Sequence, residues 1–365
     1  MRMNIRILLI GLGVMSGIFS SCGQTSEMDS LYNDGPYIFF ENGHTVARWI
    51  EDNQVKADTL ETGEPLKLNA TVSASFDPAF LKTDYSFQPE RQDAFTGVSH
   101  FVAVSDIHGQ YGMLKKLLQV HRVIDEGGNW IYGTGHLVIV GDVVDRGDEV
   151  TEILWMIHKL EQQAEKVKGK VHYLLGNHEI MVLKGDLRYI HKKYRYTSAG
   201  LKMSYQDIFS VNSYLGRWLR SKPVAISINK TIFAHAGFSE QYLQLGLTNK
   251  ELNKTFREQI FDEPEDSVLA NPMLNILYND LGPVWYRGYF AEDFTEDRAR
   301  AILQKLGKKN IVVGHTSFSG VITRYRHKII GVDSSIKFGK TGELLLYEKK
   351  RFYRGMLNGE KQLLE

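Results

Sequence analysis

One cysteine in 365 residues leaves no partner for an intramolecular disulfide and too few thiols for a thiolate metal site. A surplus of one charge is missing as well. The chain has 44 Lys and Arg against 43 Asp and Glu, whereas a general nucleic-acid polymer binder needs a basic excess. The apolar run Ile7–Phe19 has 13 residues, short of the roughly 20 that cross a bilayer as a helix. What is present is ordinary for a globular chain: 43% hydrophobic and 24% charged residues, which excludes wholesale disorder. The length admits one large domain or two smaller ones.

Arg2 and Arg6 precede that apolar run, the charge pattern of a secretory signal. Ser20 and Ser21 stand directly before Cys22, which resembles a bacterial lipoprotein processing site. The resemblance implies a signal peptide over 1–21, lipidation of Cys22, and an exported chain anchored to a membrane. Gly23 in the next position implies the outer membrane by the same resemblance, with the periplasmic or surface face left open. Residues 22–36 read as a tether and 37–97 as a small β-rich leader. Within the leader, YIFFEN, TVARWIED and QVKADTLE are separated by Asn42-Gly43 and Asp52-Asn53, the punctuation of a β-meander.

After residue 98 the pattern changes to alternating strands and helices. HFVAV (100–104), HLVIV (136–140) and VHYLL (171–175) are apolar runs separated by helical periodicity, including Val150, Ile153, Leu154, Ile157 and Leu160 on one face. TIFA (231–234) and NIVV (310–313) add two more strands, and ITRYRHKIIGVDSS and GELLLYEKKRFYR read as paired strands around Gly339–Gly342. This is the signature of an α/β fold with βαβ units. Polar clusters follow each strand, where open α/β sheets place their ligand sites.

Those clusters carry metal chemistry. Asp106 and His108 flank one residue, so on extended backbone both face one side and share one ion. Asp142, at the next strand end, has two oxygens to bridge two ions, and Asn177, His235 and His315 add a carbonyl oxygen and two imidazoles. Mixed carboxylate and imidazole ligands suit Mn, Fe or Zn. Two such ions about 3.5–4 Å apart clamp a phosphate and turn water into a nucleophile at neutral pH.

SDIHG, GDVVDRG, GNHE, HAG and GHT, in this order over residues 98–350, resemble the calcineurin-like metallophosphoesterase superfamily. GDVVDRG and the isolated GHT are most similar to its phosphoprotein-phosphatase branch and the bacterial Shewanella-like phosphatases. The resemblance implies two packed mixed β-sheets flanked by helices, with two divalent ions at one edge. Asp106, His108 and Asp142 would hold the first ion; Asp142, Asn177, His235 and His315 the second. GHTS puts Ser317 where many members of the superfamily have a ligand histidine, as in the phosphoprotein-phosphatase branch, where water fills that place. By the same resemblance His178 protonates the leaving oxygen, Asp145 orients it, and Arg146 clamps the phosphoryl group. Arg287, in GPVWYRGY, becomes a second clamp. The implied reaction is in-line attack on phosphorus by a metal-bridging hydroxide, without a covalent phospho-enzyme.

Residues 184–222 hold nine Lys and Arg against two Asp, interleaved with Tyr189, Tyr194, Tyr196, Tyr205, Tyr214 and Trp218. The segment reads as a solvated helical insertion with a buried aromatic face; a cap that attracts and stacks an anionic aromatic substrate is the alternative. Its place between GNHE and HAG makes it the expected specificity element, and 351–365 reads as a C-terminal tail. Expected substrates are a phosphorylated protein or small phosphomonoester. The alternatives are hydrolysis of symmetrical dinucleoside polyphosphates, or a non-catalytic binding lipoprotein on a phosphatase fold. Oligomeric state is left open.

Overall fold

In the computed structural model residues 31–60, 73, 75–81 and 86–365 are described. The signal peptide and Cys22 lie outside them. The first described elements are three antiparallel strands, β1 (Asp34–Glu41), β2 (His44–Glu51) and β3 (Gln54–Leu60). Asn42-Gly43 and Asp52-Asn53 turn the chain with positive φ at both central positions, the tight turn that suits hairpin twist. The meander therefore begins three residues inside the expected tether. The reason is Asp34, a fully buried carboxylate whose oxygens accept hydrogen bonds from Tyr37, Thr151 and Thr197 at 2.6–2.8 Å.

β4 (Ala94–Phe95), β5 (His100–Val104), β6 (His136–Ile139) and β7 (Lys170–Tyr173) follow, then β8 (Ala225–Ile228), β9 (Thr231–Ala234) and β10 (Asn310–Val313). β11 (Ile322–Arg324), β12 (Ile329–Gly331), β13 (Glu343–Glu348), β14 (Arg351–Met356) and β15 (Lys361–Leu363) complete two six-stranded mixed sheets. One has the order β11-β12-β10-β9-β8-β4, the other β15-β14-β13-β5-β6-β7. Both faces of β5 are buried, because its period-two alternation serves two layers. Phe101 and Ala103 meet Ile226, Phe233, Val312 and Leu345 between the sheets. Val102 and Val104 face the helical layer that includes Leu114, Leu117 and Ile153. The expected pair of sheets flanked by helices is what the chain forms.

Two boundaries differ from expectation. The C-terminal paired strands are two separate hairpins: β11–β12 lies in one sheet, and β13–β14 in the other turns at Lys349-Lys350 rather than at Gly339–Gly342. Residues 351–365 are no tail, since β14 and β15 extend that second sheet.

Among the helices, α1 (Tyr111–Val120), α2 (Val150–Lys166) and α3 (Asn177–Lys184) connect the strands of the second sheet or follow them. The insertion folds as α4 (Lys192–Leu201), α5 (Tyr205–Ile208) and α6 (Tyr214–Arg220). Tyr194, Tyr205, Tyr214 and Trp218 are buried, as the helical reading expects. The leader sheet packs on this insertion and on α2: Phe40 N–H donates to the Asn212 carbonyl at 2.8 Å, and Trp155 Nε1 of α2 donates to the Pro36 carbonyl at 3.0 Å. No helix among the described residues is long and apolar enough to cross a membrane.

Candidate metal centre

The site assembles in the first turns beyond the C-terminal ends of β5, β6, β9 and β10. A strand must end abruptly there for a side chain to swing over the sheet edge, and the backbone records the cost. Asp106, His108, Asp142, Asp145, Arg146 and His315 all have φ between 46° and 70°. Such left-handed conformations are disfavoured for residues with a Cβ by on the order of 1–3 kcal/mol each. They persist because the loops are tied together. His108 N–H donates to the Asp142 carbonyl at 3.0 Å, and Gly109 N–H to that of Val143 at 3.0 Å. Gly109 cannot be larger: a Cβ there would lie 2.6 Å from the Gly147 backbone.

Glu179 does most of the tying. Fully buried on α3, its carboxylate accepts from the backbone N–H groups of Asp142, Val143, Val144 and Gly176 at 2.7–3.2 Å, and from the Tyr173 hydroxyl at 2.9 Å. A carboxylate offers about four acceptor sites, so this one is saturated and the loop bearing Asp142 is pinned to α3.

The imidazoles are oriented by backbone carbonyls. His108 Nδ1 is 2.7 Å from the Val144 oxygen, His235 Nδ1 is 2.7 Å from that of Val140, and His315 Nε2 is 3.1 Å from that of Trp285. Each such contact uses one ring N–H, leaving the other nitrogen with its lone pair turned into the site. His235 Nε2 then faces the Asn177 oxygen at 3.0 Å, His315 Nδ1 at 3.2 Å and Asp142 Oδ1 at 3.3 Å. Asp142 Oδ2 faces His108 Nε2 at 3.5 Å and His178 Nε2 at 3.8 Å. Lone pairs converging this closely repel one another unless a proton or a cation lies between them, and this donor set fits divalent ions.

Two groups have ligand atoms mutually within 4.8 Å, and Asp142 belongs to both: His108 with His178, and His235 with His315. Asp142 therefore stands where the two groups meet. The first group holds His178, however, whereas Asp106 stands beside it. Asp106 Oδ2 accepts from His315 N–H at 2.9 Å and from Ser105 Oγ at 2.7 Å, and Oδ1 lies 3.9 Å from Lys337 Nζ.

Electrostatics follow from burial and crowding. Burial, then the nearby Asp333 and Asp142, raises the Asp106 pKa well above the carboxylate range. Burial would also raise that of Asp142, but His235, His178 and His108 outweigh it and hold it well below. Burial works against protonation of His235, yet Asp142 outweighs it and lifts the pKa to about 9. Burial, then the charges of His235 and Arg287, pushes His315 down to about 2.

Beside the ligands, His178 Nδ1 lies 2.6 Å from Asp145 Oδ2, so its Nε2 looks into the site. Arg146, solvent-exposed, places Nε 3.3 Å from His108 Nε2 and Nη2 3.5 Å from His178 Nε2. Arg287 reaches the rim, donating Nη1 to the His315 carbonyl at 2.8 Å. All ten expected side chains therefore come to one place. Three groups not singled out from sequence join them. They are Glu179, which the sequence marks only as the last letter of GNHE, Asp333, which accepts from Ser317 Oγ at 2.7 Å, and Lys337. Asp333 follows an apolar run just as Asp106 does, which was the available signal. Tyr189, noted only as one of six aromatics, lays its ring 5.1 Å from both the Arg146 guanidinium and the His178 ring.

The chain matches the calcineurin-like phosphoesterase family over residues 99–317. It belongs to that family. An uncharacterized protein of Schizosaccharomyces pombe is 30% identical over 294 residues, 74% of this chain and 83% of its own length. Shewanella-like protein phosphatase 2 of Arabidopsis thaliana is 39% identical over 123 residues, 33% of this chain and 32% of that protein. Among solved structures, a cold-active protein-tyrosine phosphatase of a psychrophilic Shewanella is 40% identical with a TM-score of 0.83, covering 91% of this chain and 99% of that one. The chain is accordingly a phosphoesterase of the phosphatase type, from a family that works through dimetal centres.

Proposed function

We propose that this phosphatase hydrolyses aryl phosphomonoesters, above all phosphotyrosine in proteins. The observation that carries the reading is Tyr189. The residue is 42% exposed and its ring packs against both Arg146 and His178, so an aryl leaving group bound between them meets an aromatic wall. The Shewanella relative, a protein-tyrosine phosphatase, supports the same substrate class.

Asp106, His108, Asp142, Asn177, His235 and His315 would hold the two ions. Divalent ions held there supply Lewis acidity toward phosphoryl oxygens and make water nucleophilic at neutral pH. The chain's own residues do the rest. Arg146 and Arg287 offer planar forks of donors to the phosphoryl oxygens as negative charge grows. His178, kept in orientation by Asp145, presents Nε2 to protonate the departing phenolate oxygen. Mn, Fe and Zn remain the proposed metals from the donor set. The finer localisation also belongs to this reading: export, lipidation at Cys22 and attachment to the outer membrane, supported by the sequence of residues 1–23. Palmitate labelling that Cys22→Ser abolishes checks the anchor.

The test of substrate class compares a phosphotyrosine peptide, the matching phosphoserine peptide, and diadenosine tetraphosphate, each with Mn²⁺. Phosphotyrosine should lead in kcat/KM, and Tyr189→Ala should shrink its lead over phosphoserine. Faster cleavage of the dinucleotide, or a lead indifferent to Tyr189, overturns the reading.

A further inference from the structure

At the opposite ends of the strands from the metal centre, two adjoining clefts make one groove. The first, of about 790 Å³, lies between the helix Glu296–Leu306, the β11–β12 hairpin and the strands β14 and β15. The second, of about 970 Å³, continues to Ser99 and Lys230, next to the starts of β5 and β9; Lys309, Lys350 and Phe352 line both. The strands between groove and catalytic loops run four or five residues, about 15 Å at ~3.3 Å per residue.

The lining carries nine Lys and Arg against a single carboxylate, Glu348, which Lys361 already pairs at 3.0 Å. Arg300 and Lys328 are paired with Asp297 and Glu296 at 3.2 and 3.0 Å. The other seven, Lys309, Arg326 and Lys350 among them, make no ion pair among the described residues. Burial and then the charge of Lys230 lower the pKa of Lys308, with Asp93 acting the other way. Two hairpin turns present much of this charge. Lys349 and Lys350 have φ of 50° and 61°, and Tyr325, Arg326 and His327 have 56°, 55° and 63°. Hairpin turns of this hand favour Asn and Gly. Here Arg326, Lys349 and Lys350 take such positions instead.

The floor is apolar, formed by buried Leu303 and Leu364, half-buried Phe352 and Leu363, which is 42% exposed. A concave site suits a chain better than a flat lipid surface. Its two aromatic rings are engaged with the sheet, Tyr347 stacking on Phe101 at 4.7 Å and packing against Phe352 at 5.1 Å, which disfavours stacking of nucleobases.

We propose that this groove docks an extended acidic peptide segment of a protein partner, one that intersperses apolar residues among Asp and Glu. Cations at the rim pair with its carboxylates while the floor takes its apolar side chains. Peptide docking here does not depend on which phosphoester the metal centre hydrolyses. On a phosphatase, such a groove would hold a phosphoprotein away from its scissile group and raise the local concentration of that group at the centre.

The test titrates the soluble chain starting at Gly23 into a fluorescein-labelled peptide rich in Glu with interspersed Leu. The peptide has about a dozen residues, long enough at ~3.3 Å each to span both clefts. It should bind at low ionic strength, weaken as salt rises, and lose at least about tenfold in affinity to Lys309→Glu/Lys350→Glu. Turnover of p-nitrophenyl phosphate should stay unchanged in that variant, which also reports correct folding. Should the reversed variant misfold, Lys309→Gln/Lys350→Gln should still weaken binding. Absence of binding, equal binding by the variants, or tighter binding of a single-stranded oligonucleotide or of phosphatidylglycerol vesicles would overturn the proposal.

Discussion

His178 is the residue at which two readings of the site separate. Its Nδ1 contact to Asp145 makes it a proton donor through Nε2, yet the same Nε2 lies within ligand distance of the His108 and Asp142 atoms. His178→Asn should lower kcat by about 10²–10⁴-fold, with bound metal unchanged. Metal analysis of the purified variant decides, since a loss of metal would make His178 a ligand. Alkyl phosphates, whose leaving groups need the proton more, should suffer more than p-nitrophenyl phosphate. A second expectation concerns Glu152 of α2. Burial, opposed by Lys193 and helped by Asp34, raises its pKa from 4.5 to about 7, and its Oε2 has no hydrogen-bond partner. The folded chain thus keeps a proton that the unfolded chain releases. That contribution to stability is whole below pH 4.5 and is lost as pH rises through about 7. Glu152→Gln should flatten the change in unfolding free energy between pH 5 and 8 by up to about 3 kcal/mol, read from urea titrations at both values. The ligands were legible because each closes an apolar run. Glu179 and Lys337 were not, because their roles depend on which backbone groups and carboxylates the fold brings to them.

At the scale of elements, the leader sheet and the insertion are joined through one buried carboxylate. Asp34 of β1 accepts from Thr151 of α2 and Thr197 of α4, with Lys193 Nζ 3.7 Å away. Asp34→Ala would take the acceptor from the buried Thr197 and Thr151 hydroxyls and a carboxylate from beside Lys193, which keeps Glu152 and the Asp148 carbonyl. It should cost about 3–5 kcal/mol in chemical unfolding, the penalty for breaking a buried charged pair on one side. The same insertion carries Tyr189, whose carbonyl accepts the Arg146 N–H at 2.9 Å, so loosening β1 should also raise KM for aryl phosphates. Strand positions were readable from period-two alternation in HFVAV and from the turn pairs Asn42-Gly43 and Asp52-Asn53. The Lys349-Lys350 turn was not, because lysine carries no local preference for positive φ, and its hairpin is imposed by the pairing of β13 with β14.

Over the whole molecule, sequence order revealed that strands alternate with helices, but not which strands share a sheet. β13 enters between β14 and β5 across more than 200 residues of chain, a pairing that no local pattern encodes. The metal should be felt globally too. With His235 raised to about 9, the metal-free chain carries a proton there at pH 7 that an incoming ion must expel. Calorimetry in buffers of different ionisation enthalpy should register proton release on Mn²⁺ binding. Apparent affinity should rise as pH climbs toward 9, and chelators should abolish turnover and lower the melting temperature. The inward-facing ligand atoms come from positions spread between Asp106 and His315, on loops of both sheets. A nascent or unfolded chain therefore has no partial cage to load early. The choice of ion should therefore fall to the folded chain, from whatever metal pool surrounds it once the two sheets have closed.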